Sequence, residues 1–207
     1  MPFQSELKIE KGNTLILEGL LTTIDSQGGC HLSAMGPRVN QSLDQFLLRP
    51  YQSSGMFGNL CASRSAVFHT TDDVLLLARV VTGSLTNVPL HRSAMNVQGF
   101  VLEESCHAWE LSVESIDASH PRAEMVARVV GEHAGRSFLG FNRARHAVLE
   151  GAILVTRLGM LDHAEIVRQF RDLKILVTKT GGDREHEAFA ILESRVQEAG
   201  PGEAIVF

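Results

Sequence analysis

The stretch "LRPYQSSGMFGNL", Leu48 to Leu60, puts one arginine, one tyrosine and two serines in a short link between apolar runs. Arg49 carries a planar guanidinium that matches two phosphate oxygens at once. Tyr51, Ser53 and Ser54 add hydroxyls. A helix that starts near Ser53 adds free N–H groups and a favourable dipole. Together these form a phosphate seat. The alternative is a surface arginine followed by serines that only cap a helix. Neither GxGxxG nor GxxxxGK is present, so no glycine-rich nucleotide loop is expected.

Three other stretches carry chemical side chains. "HTTDD", His69 to Asp73, places two carboxylates at an expected helix start. They would accept hydrogen bonds from a ligand or serve as cap signals, and His69 reads first as a core histidine. "HLSAMGP", His31 to Pro37, has small residues and a methionine at a strand end. A flat ring could approach there, and ordinary core use is equally good. "GFNRARHAV", Gly140 to Val148, sets Arg143, Arg145 and His146 at a helix start, where cations oppose the dipole. An anionic substrate or a solvated first turn would account for them. His133, His163 and His186 have no ligand-like spacing, so no metal is assigned. No nucleophile elbow and no Ser/His/Asp set emerges, and the catalytic residues stay unknown.

The elements that must position these residues change character along the chain. "NTLILEGLLTT", "CHLSAMG", "LDQFLLRP" and "SAVFHTT" read as strands, and "SSGMFGNLCAS" as one or two helical turns capped by Ser53 or Ser54. "TDDVLLLARVV" reads as a short helix capped by Asp72 or Thr71. Thr82 to Gln98 reads as a loop and a candidate lid. "GFVLEESCHAWELSVESID" and "RAEMVARVVGEH" read as two long strands around the turn "ASHP", with Trp109, Leu111 and Val113 on one face. Six or seven strands up to residue 138 favour a barrel or sandwich. From Asn142 three helices follow, and "GPGEAIVF" is a tail. The expected division is 1–138 for the barrel and 139–207 for the helical unit. "HAVLEGAIL" is apolar nearly all round, which suggests burial between its own barrel and a second subunit.

The chain has 207 residues, 44% of them hydrophobic and 21% charged, as in an ordinary packed protein. Its net charge of −5 argues against a general nucleic-acid binder. "MPFQSELKIEKGN" has no apolar signal core and no run is long enough to span a bilayer. Three scattered cysteines, Cys30, Cys61 and Cys106, fit a reducing compartment. A cytoplasmic protein that binds neither membrane nor nucleic acid is expected.

The ordered set "EGLLTTID…HLSAMGP…FLLRPYQSSGMFGNL…AVFHTTDDVLLLAR", then "WELSVESID", "GFNRARHAVLEGAILVTRL" and "KTGGDREHEAF", resembles a "domain of unknown function" family of FMN-binding split β-barrel proteins. That family is related in fold to flavin reductases and pyridoxamine-phosphate oxidases. The resemblance runs from about Leu17 to Phe189. It implies an α+β chain, a mostly antiparallel Greek-key split barrel followed by a three-helix unit. It also implies non-covalent FMN and a homodimer with flavin near the interface. By family pattern Arg49, Ser53 and Ser54, with Tyr51 beside them, match the phosphate end. Met35, Gly36, Thr71, Asp72, Asp73 and Val74 match the ring and ribityl neighbours. Gly55, Met56 and Phe57 depart from the pattern, which puts one phosphate hydroxyl in doubt. The function implied is an FMN-dependent oxidoreductase acting on a small metabolite, pterin-like on the family's gene context, with Arg143 and His146 toward the substrate. A flavin-binding module without turnover and a dimeric interaction protein are the alternatives.

Overall fold

The structure, a computed structural model, describes residues 14–200. The opening "MPFQSELKIEKGN" and the tail after Gly200 lie outside the described residues. In chain order the elements are β1 (Leu15–Ile16), β2 (Gly19–Ile24), β3 (Cys30–Met35), β4 (Arg38–Val39), β5 (Gln45–Leu48), α1 (Gly55–Ser63), β6 (Ser65–Thr70) and α2 (Val74–Thr82). They continue with β7 (His91–Ser93), β8 (Phe100–Leu102), β9 (His107–Asp117), β10 (Glu124–Ala134), α3 (Arg143–Val155), α4 (His163–Thr180) and α5 (Asp183–Glu198). The chain forms two compact units. One joins the residues up to Thr70 with Leu90–Gly135, the other Thr71–Pro89 with the residues from Arg136 onward.

The first unit is a curled antiparallel sheet in the order β1-β4-β5-β10-β9-β6-β2-β3. It has the split-barrel architecture. Its core gathers Leu21, Phe46, Leu48, Phe68, Trp109, Leu111 and Met125 on one face. Phe68 stacks on Trp109 at 6.1 Å between ring centroids. The bend comes from β9 and β10, whose register slips between Val126 and Ala127 and again between Val129 and Gly131. Each slip adds a residue to one strand and bends it. On the other face a β7–β8 hairpin lays Val101, Ala94 and Val97 over Val67 and Ala108. That cover explains why β2 and β6 are buried on both faces and lack simple alternation.

The second unit packs α3 against α4 and α5, and adds α2 to the same bundle. The apolar face of α3 is Ala144, Ala147, Val148, Gly151, Ala152 and Val155. Ile166, Phe170 and Val177 of α4 and Phe189, Leu192 and Val196 of α5 meet the same core. Asn142 and Asp162 cap α3 and α4 by accepting from the N–H of Arg145 and Glu165.

Several expectations change. The helical unit has four helices, because α2 supplies buried Val74, Leu75, Leu77 and Ala78 to it. The cap of α2 is Asp73, accepting from Leu76 N–H, because Asp72 is turned to other partners. Thr82–Gln98 is not loop throughout, since it contains β7. The run from Gly99 to Asp117 is two strands, interrupted at Glu103–Cys106. Within its own unit α3 packs against α2, α4 and α5.

Candidate functional site

In the barrel unit the chain leaves β5 at Arg49, and Ser54 caps α1 by accepting from Phe57 N–H at 3.2 Å. The Ser54 hydroxyl itself donates to Tyr51 O at 2.7 Å. That fixes Tyr51 to Ser54 as a tight turn before the helix. The N–H groups of Gly55 and Met56, in the first turn of α1, have no carbonyl within the helix to reach. Ser53 is exposed beside them.

Arg49 is held from two sides. Its carbonyl accepts from Arg122 Nε at 3.0 Å. Its own Nε lies 3.3 Å from a Glu124 oxygen, a charge contact without hydrogen-bond geometry. Although a third of the Arg49 side chain is exposed, Nε is shut from solvent and donates no hydrogen bond. Arg122 bridges Tyr51 through the backbone and lies over its ring, 5.0 Å from the centroid. This second cation escaped the sequence reading, which took Arg122 only as the start of the strand that follows the turn "ASHP". A Pro-Arg pair after a hairpin tip carries no signal of what it will face.

His31 was also missed. Its Nδ1 lies 3.3 Å from Thr23 Oγ1 and 3.4 Å from Ser33 Oγ. Its Nε2 is turned toward Gly55, where a Cβ would come within 3.8 Å. Burial holds its pKa below the ordinary value, against the raising effect of Asp25. Met35 belongs to the barrel core. Gly36 faces Glu18, whose carboxylate a Cβ would meet at 2.7 Å.

A further polar cluster of this unit centres on Glu110, which is fully buried. It accepts from Met95 N–H at 2.7 Å, Asn96 N–H at 2.6 Å and His133 Nε2 at 2.6 Å. His133 Nδ1 accepts from Arg92 at 3.1 Å. Burial would raise the Glu110 pKa, but these bonds outweigh it and hold the acid below its ordinary value. Gly131 opposes Glu110 in β10, where a Cβ would come 2.4 Å from Asn96 Nδ2.

Thr71, Asp72, Asp73 and Val74 belong to the helical unit. Thr71 Oγ1 accepts from Asp73 N–H and Val74 is buried. Asp73 accepts from Leu76 N–H and from Arg184. Asp72 is nearly buried and accepts from Arg136, from Leu139 N–H at 3.1 Å and from Arg145 at 3.0 Å. Burial alone would raise its pKa; the Arg136 and Leu139 bonds and the two arginine charges prevail and lower it. Both carboxylates therefore already receive protein donors. Arg145 also bonds Glu185, so its opposition to the α3 dipole is met by tertiary ion pairs. Arg143 and His146 stay exposed, with His146 3.9 Å from Glu150. Among the described residues no group of three or more His, Cys, Asp or Glu is placed to hold a metal, and no helix is long and apolar enough to cross a membrane.

Comparison with known proteins places this geometry. Residues 17–136 match the model of the N-terminal domain of "Protein of unknown function (DUF447)", and residues 142–194 match that family's C-terminal model. The chain belongs to the DUF447 family. Among solved structures it is similar to the FMN-bound DUF447 protein MM1853 from Methanosarcina mazei, with TM-score 0.72 and 18% identity over 87% of this chain and 94% of that one. It is also similar to the 2-nitrobenzoate 2-nitroreductase NbaA of Pseudomonas fluorescens (TM-score 0.48, 14% identity, 57% of this chain and 64% of that one). The styrene monooxygenase flavin reductase of Pseudomonas putida S12 is similar too (TM-score 0.48, 14% identity, 56% of this chain and 80% of that one). No curated protein matches the sequence.

Proposed function

We propose that this chain binds FMN non-covalently in its barrel unit and works as a cytoplasmic, dimeric flavin-dependent oxidoreductase on a small metabolite. The observation that carries the reading is the partly exposed Arg49 guanidinium on the link that leads into the first-turn N–H groups of α1, which have no carbonyl within the helix. A phosphate would supply acceptors to both. The family relationship supports the cofactor, since the similar DUF447 structure is FMN-bound. Three cysteines scattered along the sequence, Cys30, Cys61 and Cys106, suit a reducing compartment.

Arg49, Ser53 and the first turn of α1 would hold the phosphate, with Tyr51 and Arg122 beside it. The flavin supplies the redox chemistry, and the protein binds and orients it. This accounts for a site built of binding groups without an acid–base pair. Arg143 and His146, exposed at the start of α3, are the proposed contacts for an anionic substrate.

The test is a visible-spectrum titration with FMN and with riboflavin, on wild type and Arg49→Ala. A charge-assisted bond to phosphate contributes ~1.5–3 kcal/mol, so the variant is expected to bind FMN about tenfold to a hundredfold more weakly. Riboflavin, without the phosphate, should respond little. Absence of FMN binding by folded wild type would remove the reading. No reduction of the bound flavin by NADH, NADPH or reduced deazaflavin would favour a non-catalytic module, and fast reoxidation of the reduced flavin by small acceptors would count against one.

A further inference from the structure

Three large apolar side chains stand out of the helical unit within four residues: Phe138, Leu139 and Phe141, with 54%, 73% and 104% of their surface exposed. The segment is not a slack loop. Arg136 and Leu139 N–H both bond the buried Asp72 carboxylate, and Asn142 is fixed by capping α3 and by donating to Thr180 O. Gly140 turns the chain with φ +92°, a backbone that other residues rarely adopt. The Phe138 and Phe141 rings meet edge-on at 6.2 Å. An ion-paired aspartate thus holds an aromatic pair out into solvent.

We propose that Phe138, Leu139 and Phe141 form the apolar centre of an interface with a second copy of this chain. The inference rests on the dimer reading above and names the surface it uses. The three side chains expose roughly 400 Å², within the range of the largest patches on ordinary monomers, which are often functional. A stable interface takes ~800 Å² from each partner, with an apolar centre and a polar rim. The patch has the area of such a centre, and Arg143 and Asn142 lie next to it for a rim. Because the segment is already ordered by Asp72, little freedom is lost when it docks.

A second copy suits the patch better than the other occupants. A bilayer surface favours several free cations near the apolar tip. Here Arg136 and Arg145 are committed to Asp72, and the chain carries −5 overall. A patch on a two-fold axis meets its own copy and so needs no other partner.

Sedimentation velocity of the whole chain from 1 to 100 µM, with wild type, Phe141→Glu and Leu139→Asp, tests this. Phe141 projects into solvent, so Phe141→Glu leaves the folded monomer intact, and thermal melts verify it. Wild type should sediment as a dimer, with the dissociation constant raised at least ~30-fold in either variant, as for a central hot spot. Dimers of unchanged affinity in both variants would overturn the patch and leave the dimer reading standing. A monomeric wild type at 100 µM would overturn both, and co-sedimentation of that monomer with phosphatidylcholine–phosphatidylglycerol vesicles would assign the patch to membranes. FMN titration of the same samples reports the flavin reading separately.

Discussion

His69 on β6 is enclosed at both ring nitrogens: Nδ1 donates to Leu20 O at 3.3 Å, and Nε2 accepts from Leu102 N–H at 3.1 Å. A proton on Nε2 would face that N–H, and burial lowers the pKa to about 4, with the Leu20 bond opposing and His133 adding to the effect. The unfolded chain takes up this proton near the ordinary 6.5, the folded chain only near 4. Stability is therefore complete above pH 6.5 and falls as pH drops toward 4, by up to about 3 kcal/mol. Urea midpoints followed by the fluorescence of Trp109 should decline through this window, and His69→Gln should flatten the decline. An equal slope in the variant would show that other groups carry it. Also at this scale, Glu124 competes with any anion for Arg49. Glu124→Gln should tighten FMN binding, by no more than about fivefold for so exposed a pair; weaker binding would mean that Glu124 orients Arg49 instead of competing.

Glu110 shows how one side chain places an element. It sits opposite Gly131 across β9 and β10 and fastens the turn at Met95 and Asn96, while Arg92 of β7 is joined to it through His133. Glu110→Gln offers only one acceptor oxygen for three donors. The Met95 and Asn96 amides should then exchange with deuterium at least tenfold faster, and unchanged protection would place the hairpin's stability in the Val67–Val101 contacts alone. The other buried acid, Asp72, ties the start of α2 to Arg136, Leu139 and Arg145. Asp72→Asn should cost the helical unit about 2–3 kcal/mol, at or below the low end for a broken buried pair because Arg136 and Arg145 can rehydrate. Circular dichroism at 222 nm during urea unfolding would record it. The folded Asp72 pKa is lowered, so its contribution is present at neutral pH and fades as pH falls below the ordinary carboxylate value; the variant should lose that acid dependence. The strand and helix patterns around these residues were legible, because hairpin turns, Asp162 and the stripe Ile166–Phe170–Val177 act within a few positions of each other. The clasps were not. Arg92, Glu110 and His133 lie on three strands, and strand register alone brings them together. The Asp72 partners, Arg136 and Arg145, come from 64 and 73 residues away, so local reading offered only a helix cap.

For the whole molecule the order of strands before helices was enough to read a barrel or sandwich followed by helices; the α+β split barrel was what the family resemblance implied, and family membership and fold agree with it. The grouping of α2 with the C-terminal helices was invisible, since nothing in "VLLLARVV" says which unit its apolar face will join. The link proposed to hold the phosphate was legible in part: Arg49, Tyr51, Ser53 and Ser54 share it in sequence, whereas Arg122 and His31 face it only through folding. One solution measurement joins these levels. Trp109 is the sole tryptophan and sits in the barrel core, so it reports the unit proposed to hold the flavin. A ligand that binds only the folded state, at 100 times its dissociation constant, adds about 2.7 kcal/mol. For a chain of this size that shifts the thermal midpoint by roughly 5–10 °C. FMN should produce this shift, and riboflavin at the same concentration a smaller one, because it lacks the group Arg49 would hold. Equal shifts from both would place the binding energy on the ring and return the Arg49 link to a helix cap. No shift from FMN in protein that melts cooperatively would separate this chain's barrel from flavin altogether.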